Sequence, residues 1–291
     1  AGIYYENVII NQTNISLVGE NRDTTIIDGQ GIDNVVSFYN TSITMNGFTI
    51  RNGKSFYGIE ASKFGNHKIF NNKLINNAFG VSLLLTTSGS TVVDNTLISN
   101  SLIGINAISS SNNNLSSNYI SKSSFGIKLE GANNNFIIGN TLSDTSYGIY
   151  LYSSNLNNVD KNNVSSKTVG IYSAYSNDVN IRDNTLSGCA YGIELYGDTR
   201  NNVLRNTASA NSYGIYLVRS NTANVIDSNL VSNNDWGIQF YDSDSNTLTF
   251  NTASYNSYGI YLVSTSTGNS IYKNNFLENV MQAFQHGDSP N

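Results

Sequence analysis

The chain has 291 residues, of which 12% are charged and 39% hydrophobic, and its formal net charge is −5. A nucleic-acid partner needs a basic footprint, which this balance does not supply. No run of 18 apolar residues occurs, so nothing in this segment is expected to insert into a membrane as a helix, and a single cysteine, Cys189, excludes a disulfide framework within one chain.

The first residues, "AGIYYENVII", read as strand, with neither a basic n-region nor an apolar h-region, so any signal peptide is expected to have been removed from this chain. The stretches "NVIINQTNISLVGE", "TTIIDGQGIDNVVSF" and "NTSITMNGFTIRNG" alternate irregularly. They are expected to form two or three coils of an architecture that becomes regular only after residue 57.

From there a Gly-aliphatic pair recurs at Gly58, Gly80, Gly104, Gly126, Gly148, Gly170, Gly192, Gly214, Gly237 and Gly259, in steps of 22, 24, 22, 22, 22, 22, 22, 23 and 22 residues. A fixed period of this length means that one supersecondary unit is stacked on itself. A solenoid grows coil by coil, so the whole of 1–291 is expected to be one domain, with irregular coils over 1–57, regular coils over 58–284 and a tail at 285–291.

Within a repeat the alternation has period 2. The residue after each glycine is aliphatic (Ile171, Ile193, Ile215), the residue two further on is mostly Leu (Leu151, Leu195, Leu217), and a mixed set with Tyr and Glu lies between them. That pattern is a half-buried strand with Ile and Leu inside. An Asn column at Asn72, Asn118, Asn140, Asn162, Asn184, Asn206, Asn229 and Asn251, with Asn95 one place off, marks a corner, where Asn tolerates left-handed φ and pairs its amide with the next coil. Apolar columns on both sides of this Asn complete three short strands per coil.

Short strands recurring once per coil pair in parallel, and parallel crossovers are right-handed. The expected fold is therefore an all-β, right-handed parallel β-helix of ~22-residue coils, about 12–13 in number and ~60 Å long. A leucine-rich repeat is the main rival by length, but its convex segment would have to fall on "TLSDTSYGIYLYSS", which alternates like a strand. Cys189 fits such a coil as a small residue packed in the wall.

Tyrosines occupy outward positions of the later coils: Tyr150, Tyr172, Tyr216 and Tyr261 two places after the glycine, and Tyr152, Tyr196 and Tyr241 four places after it. Alternation puts these seven on one face, a surface for assembly or for glycans. The aromatic row just before the glycine, including Tyr191, Tyr213, Trp236 and Tyr258, is expected to stack inside or at a corner. Sequons at Asn11, Asn14, Asn40, Asn114 and Asn163 are glycosylation candidates, with Asn163 the best placed.

Catalysis on polysaccharides needs clustered carboxylates. Asp160 and Asp227 share a column but lie three coils, or ~14 Å, apart, and Glu130 and Glu194 are likewise separated. No catalytic residue, cofactor or metal site is assigned, and the chain is not expected to be an enzyme.

"GIYYENVIINQTNISLVGENRDTTIIDGQG", "NGFTIRN", the repeated "YGIYL" with "NNV" and "GNTL", and the late "YKNNFLENVMQAF" resemble the NosD-type β-helix repeat proteins, within the wider carbohydrate-binding and sugar-hydrolase repeats of archaeal surface proteins. The resemblance covers nearly the whole chain and implies the fold, an extracellular or cell-surface location, and a chain that is a fragment or repeat block of something longer. It also carries the label of periplasmic copper binding, which asks for clustered soft ligands. Met45, His67, Cys189, Met281 and His286 are scattered instead. With low charge, polar turns and coil edges that look uncapped, the expected role is a structural solenoid assembling end to end or laterally with itself or with envelope components, as an S-layer or filament. Polysaccharide binding, or descent from a polysaccharide-processing protein, is the alternative.

Overall fold

A computed structural model describes residues 1–219, 221–263 and 266–286, in two compact units, Ala1–Thr145 and Ser146–Asn291. Of the expected tail at 285–291, residues 287–291 lie outside the described residues. All regular structure among the described residues is β-strand, and every strand pairing is parallel within its unit.

In Ala1–Thr145 the strand Tyr57–Ser62 pairs with Phe79–Leu84, which pairs with Ile103–Ile108 and then Phe125–Glu130. Before Tyr57–Ser62 come Val36–Phe38 and Val8–Ile10 in the same ladder, so two coils precede the first regular glycine. In Ser146–Asn291 the corresponding ladder runs through Tyr191–Tyr196, Tyr213–Val218, Trp236–Tyr241, Tyr258–Val263 and Met281–His286. Most coils add two short strands, such as Asn202–Leu204 and Thr207–Ser209, and so carry the three strands that the columns predicted, whereas in Thr141–Tyr152 and Asn163–Ala174 one of the two runs on into the glycine-bearing strand.

The apolar columns form the core. Ile171, Ile193, Ile215 and Ile238 are completely buried, as are Leu195, Leu217 and Phe240 one step along and Val203, Ile226 and Leu248 on the facing wall. The glycine column has a steric cause. A Cβ on Gly192 would come within 2.5 Å of the Gly214 carbonyl oxygen, and one on Gly214 within 2.3 Å of Val231 Cγ1. These positions point into a space already filled by the next coil.

The Asn column is buried and hydrogen-bonded throughout. The backbone N–H of Asn184 donates to Oδ1 of Asn206 at 3.0 Å, its Nδ2 donates to the same oxygen at 2.9 Å, and Nδ2 also donates to the Val159 carbonyl at 2.9 Å. Asn95 stands in this column after all, linking Asn72 to Asn118. The left-handed residue of the corner is not the Asn but the one before it: Lys161, Asp183, Arg205, Ser228, Phe250 and Lys273 have positive φ. The Asn side chain is thereby turned inward, where its amide replaces the water that a buried corner lacks. Cys189 holds an Asn-type place in a second such column, its Sγ accepting the Ser166 N–H at 3.4 Å and its own N–H donating to Asn211 Oδ1 at 2.9 Å.

Candidate functional site

In Ser146–Asn291 the outer side of the glycine-bearing strands carries aromatic columns. Tyr150, Tyr172, Tyr196, Tyr216 and Tyr261 are half-buried, while Tyr152 and Tyr241 are exposed, so all seven predicted tyrosines reach the surface. The row before the glycine is a correction to the sequence reading. It does stack, but half-exposed on this same outer surface. The reason is local: glycine and the following Ile both face inward, as in Gly192 and Ile193, so strict alternation fails there and Tyr191 emerges on the same side as the residue three places later.

The rings form a ladder along the coils. Tyr191 stacks on Tyr213 at 4.7 Å with 13° between planes, Tyr213 on Trp236 at 4.5 Å and 10°, and Trp236 is parallel to Tyr258 within 5° at 6.3 Å. Tyr216 joins this row, 5.1 Å from Tyr213. Tyr150 and Tyr172 stack at 5.0 Å, as do Tyr261 and Phe284 at 5.2 Å. Beside them Tyr175, which the sequence reading passed over because it follows the strand at a left-handed position, meets Tyr152 and Tyr196 edge-on. Arg219 lies 5.5 Å over the Tyr196 ring and donates to its hydroxyl at 2.8 Å. Parallel rings cover each other's faces, so the columns offer ring edges and hydroxyls to the outside.

One acid interrupts the tyrosines. Glu194 stands between Tyr172 and Tyr216 in register, and burial pushes its carboxyl up to about 7. Burial, followed by the charge of Glu194, raises the Tyr191 phenol as well. Of the other carboxylates considered for catalysis, Asp160 lies 3.4 Å from Arg182 and Glu130 is paired with Lys128, and the nearby Asp183 is held by Arg205 through two bonds of 2.8 Å. Asp227 accepts from Thr249 Oγ1 at 2.5 Å, and its column does coincide with that of Asp160, through Arg182 and Leu204. Asp198 is fully buried in a corner column.

Copper does not fit the soft ligands. His67 is fully buried, with Nδ1 accepting the Ile43 N–H at 3.3 Å and Nε2 spent on the Phe64 carbonyl at 3.0 Å. Met45 is core, Cys189 is wall, and Met281 and His286 sit at opposite ends of one strand. Among the described residues no three His, Cys, Asp or Glu side chains converge. The sequons Asn11, Asn14, Asn114 and Asn163 are exposed and Asn40 is half-buried. No helix among the described residues is long and apolar enough to cross a membrane.

The structure is similar to the A-module of mannuronan C-5 epimerase AlgE4 from Azotobacter vinelandii, with 13% identity, 97% of this chain and 84% of that one covered, and a TM-score of 0.65. It is also similar to the Dettilon tailspike protein (15% identity, 96% and 62% covered, TM-score 0.66) and to the catalytic domain of a GH87 α-1,3-glucanase in complex with tetrasaccharides (15% identity, 99% and 61% covered, TM-score 0.60). At these identities the likeness establishes the fold alone, the right-handed parallel β-helix. No curated protein sequence matches the chain. The family described as "Periplasmic copper-binding protein (NosD)" matches residues 1–165, 98–227 and 143–291, and with every part of its length so covered the chain belongs to the NosD family.

Proposed function

We propose that this chain is a non-catalytic polysaccharide-binding β-solenoid that works outside the cytoplasm, with the aromatic columns of Ser146–Asn291 as its contact surface. The observation that carries the reading is the row Tyr191, Tyr213, Trp236 and Tyr258, half-exposed and joined by Tyr216. It repeats hydroxyls and ring edges at the coil spacing of ~4.8 Å, a regular array suited to a ligand that itself repeats. The structural neighbours lend support, since they include a mannuronan C-5 epimerase module and a glucanase in complex with tetrasaccharides. The family's periplasmic description supports the location.

Affinity electrophoresis through gels containing a panel of polysaccharides tests this. Retardation of the wild type is expected, with Tyr213→Phe and Tyr216→Phe each weakening binding about three- to tenfold by loss of one hydroxyl. Tyr272→Phe, on the separate ladder of Ser270–Tyr272, should leave it unchanged. Equal binding by all three variants would remove the face from the account. Lateral packing of copies through the same tyrosines competes with this reading, and sedimentation separates them: concentration-dependent association lost in the Tyr213 and Tyr216 variants, without glycan retardation, would favour assembly.

A further inference from the structure

The surface proposed for glycans carries a charge pattern that narrows the class of ligand. From Tyr147 to Val263, the positions one before, two after and four after each glycine hold Tyr, Trp, Val, Ala and Gln, and one carboxylate, Glu194. They hold no Lys or Arg. Glu194 is also unlike most of the acids of its unit. Asp160, Asp178 and Asp183 each face an arginine one coil on, Asp198 accepts from Ser176 and Asn201, and Asp244 accepts from Thr267. The Glu194 carboxyl has no hydrogen-bond or ion-pair partner among the described residues, and what surrounds it is phenol: Tyr172 from the coil before, Tyr216 from the coil after and Tyr191 on its own strand. Bordering the columns, Arg219 is engaged with Tyr196, while Asp235 precedes Trp236 and Asp242 follows Tyr241.

We propose that this face takes uncharged polysaccharides and turns away polyuronates, and that Glu194 sets the choice. The inference rests on the glycan reading above and narrows it. A carboxyl left unsatisfied among phenols matches sugar hydroxyls, which both donate and accept, whether it is protonated or ionised. A polyuronate instead brings repeated carboxylates along the columns, next to Glu194 and with a single cation, Arg219 over Tyr196, to meet them, and like charges in a partly desolvated site repel strongly. Because burial holds the Glu194 carboxyl at about 7, discrimination should be sharper above neutral pH, where it is ionised, than at pH 5, where it is not.

The test uses the intact chain, with laminarin as the neutral glucan and alginate as the polyuronate, at pH 5 and pH 8. At pH 8 the wild type is expected to bind laminarin at least tenfold tighter than alginate. Glu194→Gln should strengthen alginate binding about fivefold while leaving laminarin within twofold, the change expected from removing one like charge at partly screened range. Gln already occupies the equivalent place two coils on, at Gln239, so the variant should fold, and its circular dichroism checks that it does. Alginate binding as tight as laminarin in the wild type, or a ratio that Glu194→Gln does not move, overturns the inference while leaving glycan binding intact. Failure of both polymers to bind overturns it together with the reading beneath it.

Discussion

Asp198→Asn should make the protein more stable at neutral pH, and the size of the gain follows from the corner it occupies. Asp198 is completely buried. Its Oδ1 accepts the Ser176 N–H at 2.8 Å, its Oδ2 accepts from Asn201 Nδ2 at 2.9 Å, and its own N–H donates to Asn221 Oδ1 at 2.9 Å. Burial outweighs these donors and lifts the carboxyl from 3.8 to about 7. A folded pKa above the unfolded one means that folding favours the protonated acid. That contribution is complete below pH ~3.8 and is lost as the pH rises to ~7. At ~1.4 kcal/mol per pH unit over this window, the ionised side chain costs the fold about 4 kcal/mol at pH 8 relative to one that stays neutral. Asparagine stays neutral and keeps the acceptor for Ser176, but it gives up the bond from Asn201, worth about 1 kcal/mol. The next coil shows that the shape is accommodated, since Asn221 occupies the same column and donates Nδ2 to the Val218 carbonyl at 2.8 Å. The net expectation is a gain of about 3 kcal/mol at pH 8 and a loss of about 1 kcal/mol at pH 4. Urea unfolding followed by circular dichroism at the two pH values measures both. A difference between variant and wild type that is the same at pH 4 and pH 8 would refute the reasoning.

Three further outcomes probe other parts of the fold. Ile193→Asp places an unpaired carboxylate in a fully buried column and should cost more than ~4 kcal/mol, seen as loss of the folded β spectrum at moderate temperature. Gly192→Ala brings a methyl to 2.5 Å from a carbonyl oxygen that belongs to the next coil's backbone, and a loss of about 1–3 kcal/mol in urea is expected, against none if the column merely reflects composition. His67 is held neutral by burial, with its pKa below the ordinary 6.5, so its contribution is present above pH ~6.5 and is lost as the pH falls below it. His67→Asn, which keeps an acceptor for the Ile43 N–H, should flatten that acid limb of the stability profile.

Much of the architecture was legible because its signals are one-dimensional. A glycine every 22 residues, with Ile one place on and Leu three places on, states period, strand and inner face together. The row before the glycine was not legible as an outer row, because alternation is a rule for unbroken strands and the glycine breaks it. Of the other corner columns, one hides because its letters change, with Ser176, Asp198 and Asn221 accepting in turn, but two repeat Asn, at Asn201, Asn224, Asn246 and Asn269 and at Asn211, Asn234, Asn256 and Asn279, and were legible all along. The pairs Asp160 with Arg182, Asp178 with Arg200 and Asp183 with Arg205 were available, each 22 residues apart, and would have removed those acids from any catalytic list. The isolation of Glu194 could not be read, since it depends on which neighbouring coils supply a cation.

The chain's single tryptophan stands inside the proposed contact surface, half-exposed between Tyr213 and Tyr258. Titrating the intact protein with an uncharged glucan while recording Trp236 emission therefore tests the central claim directly. A saturable shift or quench is expected in the wild type, with the midpoint moved to higher glucan concentration in Tyr213→Phe and unmoved in Tyr272→Phe. Emission that stays constant across a panel of uncharged glycans, in protein whose circular dichroism is that of the folded solenoid, would contradict it.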